Sequence, residues 1–310
     1  MFKNIFWFSL ISIALFSILP HLFPQKWFID IFSHFKVQYI CVLFLLLILN
    51  LTNKGNIIAN GFIVVILVWN CFFVLPIYFN SSTKPSAFPD TISLNCINLL
   101  STNTQYSQVR KYIKDTNADI LVLLELNQDW VKELSDVLLV YNYREVEVRS
   151  DNFGIAVFSK LDMDAEVQFF GDNSKPSIVA FLEMNNEPLT IIATHPVPPV
   201  GKEQFVNRNK QLLALASQRS QFSTNIVVIG DLNTSSYSKH FRDFLTVAGL
   251  EDSRKGFGVL PSWPAAKLLL PMKTTLDHCL VGGDVFVSNR STGSNIGSDH
   301  LPIYVEIAIE

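Results

Sequence analysis

Residues 226–233 read Ile-Val-Val-Ile-Gly-Asp-Leu-Asn. Four β-branched apolar residues in a row suit a strand covered on both faces. Gly230 permits a tight bend or a close backbone approach. Asp231 and Asn233 then stand two positions apart, on the same side of an extended chain. A buried strand that ends in a carboxylate and an amide can meet a phosphate or a metal ion. The same residues also make an ordinary strand-to-loop turn, because Gly, Asp and Asn favour turns. The stretch therefore establishes a buried strand, and its chemistry depends on its companions.

Working outward, strand and helix patterns alternate through residues 91–310. Strands are expected at 91–98, 120–124, 153–158, 178–184, 189–193, 226–229, 277–281 and 303–309, and helices at 105–116, 129–139 and 203–218. On the first helix Val109, Tyr112 and Ile113 share one face. Hairpin spacings mixed with helix-separated spacings predict a mixed sheet system with covering helices, an α/β (α+β) fold. This part is long enough for one large domain with a well-buried core. No internal repeat or low-complexity tract is present.

Residues 1–79 are of another kind. They hold three uncharged apolar runs, 5–23, 37–51 and 57–79, with four lysines and a single acid, Asp30, in the whole segment. A membrane span needs about 20 apolar residues. The first and third runs qualify directly, and the second qualifies with flanking residues from Phe35 or Thr52. Trp7, Trp27, Trp69 and Tyr78 suit interfacial anchoring. A cleaved leader is the alternative for the first run, but no small-x-small site follows it and two more apolar runs do. The expected organisation is a three-helix transmembrane anchor at 1–79, a polar, proline-punctuated linker at 80–90, and the main domain at 91–310. Lys3 and Lys54 fall on one side of such an anchor and Lys26, Lys36 and Lys84 on the other. Two against three does not say which side of the membrane the domain faces. A transporter is disfavoured by the span count and by the lack of charges inside the spans.

Residues 80–310 carry 20 of the 24 basic and 26 of the 27 acidic residues. That acidic balance removes one argument for tight nonspecific nucleic-acid binding, which needs Lys and Arg on phosphates. Cys41 and Cys71 lie in apolar runs, and Cys96 and Cys279 lie in strand-like segments. Their spacing suggests neither a disulfide framework nor a metal site.

Several expected strands end in a polar residue. Asn98, Glu125, His195 and the Asp231–Asn233 pair follow apolar runs, Asp277-His278 opens a strand, and Ser298-Asp299-His300 precedes the last one. Asn95 competes with Asn98, which ends the apolar alternation. Adjacent residues on a strand face opposite ways, so only one of Asp277 and His278 can face a site. Glu125, Asp299 and Asn98 make an all-oxygen set suited to a hard divalent cation. The imidazoles, carboxylates and amides supply acid–base and oxyanion-binding capacity. Together they suit attack of water on phosphorus. Arg208, near the start of the long helix, could meet a phosphate, but reads first as a surface helix arginine.

The ordered set resembles the endonuclease/exonuclease/phosphatase superfamily, which has a DNase I-like fold. The matching residues run through Ile-Ser-Leu-Asn-Cys-Ile-Asn98, Ile-Leu-Val-Leu-Leu-Glu125 and Asn152-Phe-Gly-Ile-Ala-Val-Phe-Ser159. They continue through Thr194-His195, Gly230-Asp231-Leu232-Asn233, Leu276-Asp277-His278 and Ser298-Asp299-His300. The three apolar runs resemble a membrane-anchored bacterial branch, implying an integral protein of the bacterial cytoplasmic membrane. The resemblance implies a four-layer α/β sandwich with two central mixed sheets and outer helices. It implies Mg²⁺- or Mn²⁺-dependent hydrolysis of a phosphoester: nucleic acid, phospholipid head group or small phosphate ester. No organic cofactor is implied. By position, Glu125 would hold the metal with Asn98 and Asp299 near it. Asp231 and Asn233 would orient or activate water and contact the phosphate, with a metal role as a further option. His300 would act in acid–base catalysis, oriented by Asp277, and His195 would bind the phosphate or assist the leaving group. Asp231 and His300 are both candidates for the base. The alternative is a catalytically inactive, membrane-tethered binding or scaffold module on the same fold.

Overall fold

Two six-stranded sheets pack face to face, and their inner strands are the apolar runs of the sequence. The computed structural model describes residues 2–79, 91–171 and 174–309. The expected linker at 80–90 lies outside the described residues. Twelve strands run in chain order: β1 Ile92–Asn98, β2 Ile120–Leu124, β3 Tyr143–Glu147, β4 Ile155–Ser159, β5 Asp164–Gln168, β6 Ser177–Met184, β7 Glu187–Thr194, β8 Asn225–Asp231, β9 Glu251–Asp252, β10 Asp277–Gly282, β11 Val285–Thr292 and β12 Ile303–Ile309. One sheet has the order β11-β12-β1-β2-β4-β3 and the other β5-β6-β7-β8-β10-β9. Each holds one parallel pair, β1 with β2 and β7 with β8, flanked by antiparallel neighbours.

The parallel pairs need crossovers, and helices supply them. Helix α5 (Tyr106–Thr116) joins β1 to β2, and α7 (Lys202–Ser217) joins β7 to β8. With α6 (Gln128–Glu133) and α8 (Lys239–Ala248) they form the outer layers. The three apolar interfaces follow from period-two alternation. Leu94, Cys96, Val122, Val227, Ile229 and Cys279 fill the space between the sheets. Ile97, Val109, Ile113, Leu121, Leu123 and Trp130 seal one sheet to α5 and α6. Ile226, Val228, Leu212, Phe241 and Phe244 seal the other to α7 and α8. The result is a four-layer α/β sandwich.

Residues 2–79 form four helices: α1 Phe2–Leu22, α2 Trp27–Asp30, α3 Lys36–Thr52 and α4 Ile57–Val74. Short 3-10 segments, Ile31–Phe35 and Leu75–Tyr78, continue α2 and α4. Three stretches, Asn4–Leu22, Trp27–Thr52 and Ile57–Tyr78, are long and apolar enough to cross a membrane. Leu10, Leu43 and Ile63 pack at their centre while Phe8, Ile57 and Phe72 stand exposed. A bundle apolar inside and out lacks the polar face that a water-surrounded helix shows. Lys36, counted above as a flanking charge, is instead buried, its Nζ donating to Ser17 O at 2.7 Å.

Gly230 marks a close approach, not a turn. It lies within β8 with φ +152°, and a Cβ there would stand 1.9 Å from Thr194 O on the neighbouring strand β7. Gly230→Ala must therefore separate two parallel strands at the point where both deliver site residues. The expected cost is at least about 2 kcal/mol, read as a lower denaturant midpoint of the full chain. An unchanged midpoint would contradict the packing described.

Candidate active site

Strand parity brings the strand-end residues together. On β8, Val227 and Ile229 face the other sheet, so Asp231 faces the same way. The same step of two carries β1 from Cys96 to Asn98, β7 from Ala193 to His195, and β10 back from Cys279 to Asp277. Asn95, an odd number of positions from Asn98, faces α5, where its Nδ2–H donates to Thr116 Oγ1 at 3.2 Å. His278 faces outward, its ring 4.5 Å from that of Phe241 and its Nε2 2.8 Å from Thr234 O. Of the Asp277-His278 pair, Asp277 is the one at the site.

Asp231 is the hub. Its Oδ2 accepts from Asn98 Nδ2–H at 3.3 Å and lies 3.6 Å from both His300 Nε2 and His195 Nε2. Its Oδ1 accepts from Asn233 N–H at 2.9 Å. Asn233 is not in register with the strand: Leu232 N–H bonds Leu276 O, and Asn233 adopts φ +51° with Nδ2–H on Pro196 O at 2.9 Å. His300 Nδ1–H donates to Asp277 Oδ2 at 2.8 Å, which fixes the ring and leaves Nε2 directed at Asp231. His195 Nδ1 is buried with no hydrogen-bond partner among the described residues, so the ring meets a carboxylate only through Nε2, at Asp231.

Burial alone would raise the Asp231 carboxyl, but the charge of His300 and the proximity of His195 hold it below the usual carboxylate range. Burial would likewise lower the His300 imidazole, but Asp277 and Asp231, with Asp299 beyond, raise it above the ordinary histidine value.

Glu125 is placed differently. It directly follows β2, is buried, and has φ +58°, a left-handed conformation that non-glycine residues seldom take outside functional or strained sites. Ser101 N–H donates to Oε2 at 3.0 Å, and no described cation pairs with the carboxylate. A buried, unpaired carboxylate is costly, so the chemistry of this position fits a hard cation. Asp299 is exposed, with Trp263 Nε1–H on its Oδ2 at 3.2 Å.

A single cavity of about 940 Å³ is lined by Glu125, His195, Asp231, Asn233, Asp299 and His300. Asn98 and Asp277 stand behind Asp231 and His300 as their partners. The tightest acid–imidazole cluster among the described residues is Asp231, Asp277 and His300, with ligand atoms within 4.8 Å of one another. Its atoms are largely engaged with one another, as a proton-handling pair would be.

Two contributors were not singled out from the sequence, and a third was misplaced. Trp263 fixes Asp299. Asn152, which lines the cavity, accepts from Ser101 Oγ–H at 2.8 Å and lies within the Asn152–Ser159 motif. Arg208 is fully buried, a correction to the surface reading. Its Nη1–H donates to Asn233 O at 2.7 Å and its Nη2 meets Asp30 Oδ2 at 3.3 Å. Nothing local marks Arg208 or Asp30, because each is explained only by the other.

The sequence profile of the endonuclease/exonuclease/phosphatase family matches residues 69–300. The chain belongs to that family. Solved structures of similar fold include TDP2 of D. rerio complexed with a single-strand DNA product, at 16% identity and TM-score 0.60, covering 70% of this chain and 99% of that one. The endonuclease/exonuclease/phosphatase of Beutenbergia cavernae aligns at 13% identity and TM-score 0.57, covering 71% and 72%. A family protein from Bacteroides thetaiotaomicron aligns at 15% and 0.55, covering 72% and 100%. At these identities the likeness is one of fold, the DNase I-like sandwich. No curated protein matches the chain.

Proposed function

We propose that the protein is a membrane-anchored, divalent-metal-dependent phosphoester hydrolase that activates water for attack on phosphorus. The observation that carries this reading is the buried Asp277–His300–Asp231 chain opening on the same cavity as Glu125. Asp277 holds the His300 ring so that Nε2 exchanges a proton at the reacting oxygens. Asp231 accepts a hydrogen bond from the attacking water and, with Nε2, orients it. Asn233 and His195 contact the phosphate oxygens. Glu125 would hold Mg²⁺ or Mn²⁺, with Asn98 and Asp299 as neighbouring oxygen donors. That ion, when bound, supplies Lewis-acid polarisation of the phosphate and offsets the acidic charge of the site. Residues 1–79 form the anchor in the bilayer and 91–310 the catalytic domain. Family membership and the DNA product held by the D. rerio neighbour support a phosphoester as the substrate class.

The test uses the full chain in detergent. Hydrolysis of bis-nitrophenyl phosphate is expected with Mg²⁺ or Mn²⁺, is lost with EDTA, and returns when the ion is added back. Activity that persists in EDTA, or no activity with any divalent ion, would refute the reading.

A further inference from the structure

The cavity that holds the proposed catalytic residues has a second wall, and the anchor builds it. Trp27, Ile31 and Phe35 line the cavity opposite Glu125 and His300. They belong to α2 and the 3-10 segment Ile31–Phe35, at the junction where the first candidate span ends and the second begins. The junction is held against the domain. His240 Nε2 lies 2.9 Å from Pro24 O, Thr274 Oγ1–H donates to His34 O at 3.3 Å, and Gln38 Nε2–H donates to Lys273 O at 2.7 Å. The third span is tied at the same level, where Gly256 N–H donates to Ile77 O at 2.9 Å. The cavity thus lies where the apolar helices meet the domain, with residues of the second candidate span, Trp27–Thr52, in its lining.

Its rim is apolar where a water-facing mouth is normally polar. Val200 is 75% exposed, Met272 48% and Ile31 44%, and all three line the cavity. Leu268, in the same 3-10 segment as Met272, is 92% exposed. Among the described residues lining the cavity none is lysine or arginine. A polynucleotide carries a phosphate at every step and is held by such cations. One phosphate met by a bound ion needs none. The volume, about 940 Å³, is large for a phosphate head alone.

We propose that the substrate is a membrane-resident phosphoester, with its phosphate at Glu125, Asp231 and His300 and its hydrocarbon chain along Trp27, Ile31 and Phe35. This rests on the hydrolase reading above and narrows it to a lipid. The anchor is then part of the binding site as well as a tether. Chain carbons enter the cavity from the bilayer past Ile31 and Val200, and each buried methylene adds to binding.

The test compares two chromogenic phosphodiesters that share a leaving group, ethyl nitrophenyl phosphate and hexadecyl nitrophenyl phosphate. The full chain is assayed with Mg²⁺ in neutral detergent micelles, next to bis-nitrophenyl phosphate and a single-stranded oligodeoxynucleotide. The hexadecyl ester is expected to show a kcat/KM at least about tenfold above the ethyl ester. Ile31→Ser and Val200→Ser are expected to lower that hexadecyl-to-ethyl ratio severalfold. Equal kcat/KM for the two esters overturns the proposal while leaving the hydrolase reading intact. A preference that neither variant changes also overturns it, because micelle partition then accounts for the preference. Faster cleavage of the oligodeoxynucleotide overturns it in favour of nucleic acid. If none of the four compounds is cleaved, the hydrolase reading itself falls and the lipid assignment falls with it.

Discussion

Glu125→Gln and His300→Ala are each expected to lower Mg²⁺-dependent hydrolysis of bis-nitrophenyl phosphate by at least about a hundredfold. The two variants test different parts of the site. Gln at position 125 keeps the shape and can still accept from Ser101 N–H, so the turn after β2 survives. What disappears is the charge of a buried carboxylate, and with it the proposed hold on a divalent ion. Raising the Mg²⁺ concentration should recover part of the Glu125→Gln loss and none of the His300→Ala loss. His300→Ala removes the group that Asp277 orients and whose Nε2 stands 3.6 Å from Asp231. Thermal unfolding of Glu125→Gln should stay near the wild-type midpoint, and His300→Ala, which leaves Asp277 buried without its partner, is assayed well below its own lowered midpoint. Wild-type rates in both variants would remove the proposed site from consideration.

Asp30→Ala is expected to destabilise the full chain by about 3–5 kcal/mol, because it leaves the Arg208 guanidinium buried without its counter-charge. Asp30 sits on α2 of the amino-terminal helices and Arg208 on α7 of the sandwich. Ser238 Oγ–H also donates to Asp30, at 2.8 Å, and caps α8 by accepting from His240 N–H. One carboxylate thus ties the amino-terminal helices to two helices of the outer layer. Through Arg208 Nη1 it also reaches the carbonyl of Asn233. Activity should fall with stability, since Asn233 is held in its left-handed conformation partly from this side. The double variant Asp30→Leu/Arg208→Met removes both charges and is expected to recover much of the lost stability. The measurement is the thermal midpoint of the wild type, Asp30→Ala and the double variant in one detergent. A midpoint for Asp30→Ala equal to wild type would mean that the contact contributes nothing.

The eight strands expected from sequence are the eight inner strands of the two sheets. The four it leaves out, β3, β5, β9 and β11, are the four edges. Edge strands are covered on fewer sides and carry polar residues, as in Tyr-Arg-Glu-Val-Glu of β3 and Asp-Ala-Glu-Val-Gln of β5. They therefore lack the apolar run that identifies a buried strand. The expected helix at 129–139 is instead the short α6 and a separate 3-10 turn at Val137–Val140. Helix α8 is absent from the sequence expectation although its signal is present. Phe241, Phe244, Leu245 and Ala248 recur at helical spacing between a Ser238 cap and Gly249.

Of the site, residues at strand ends were legible because a polar side chain after a buried run is a local anomaly. Asn98, Glu125, His195, Asp231, Asn233, Asp277, Asp299 and His300 all lie in or directly behind one cavity. Their pairings were not legible. Whether Asp277 or His278 turns inward depends on which face of β10 meets the other sheet.

The stretch Ile226–Asn233 by itself determined a buried strand and the two polar residues beyond it. The whole sequence determined the alternation of layers, the three apolar helices and the family pattern. Each of these is written in side-chain periodicity over a few neighbouring residues. Only the tertiary structure decided that Gly230 faces the backbone of β7, that Arg208 is buried, and that Trp27, Ile31 and Phe35 wall the site. Those facts depend on residues far apart in the chain, such as Asp30 and Arg208, 178 positions distant, meeting in space. No local pattern records such a meeting, because neither partner's neighbours carry its cause.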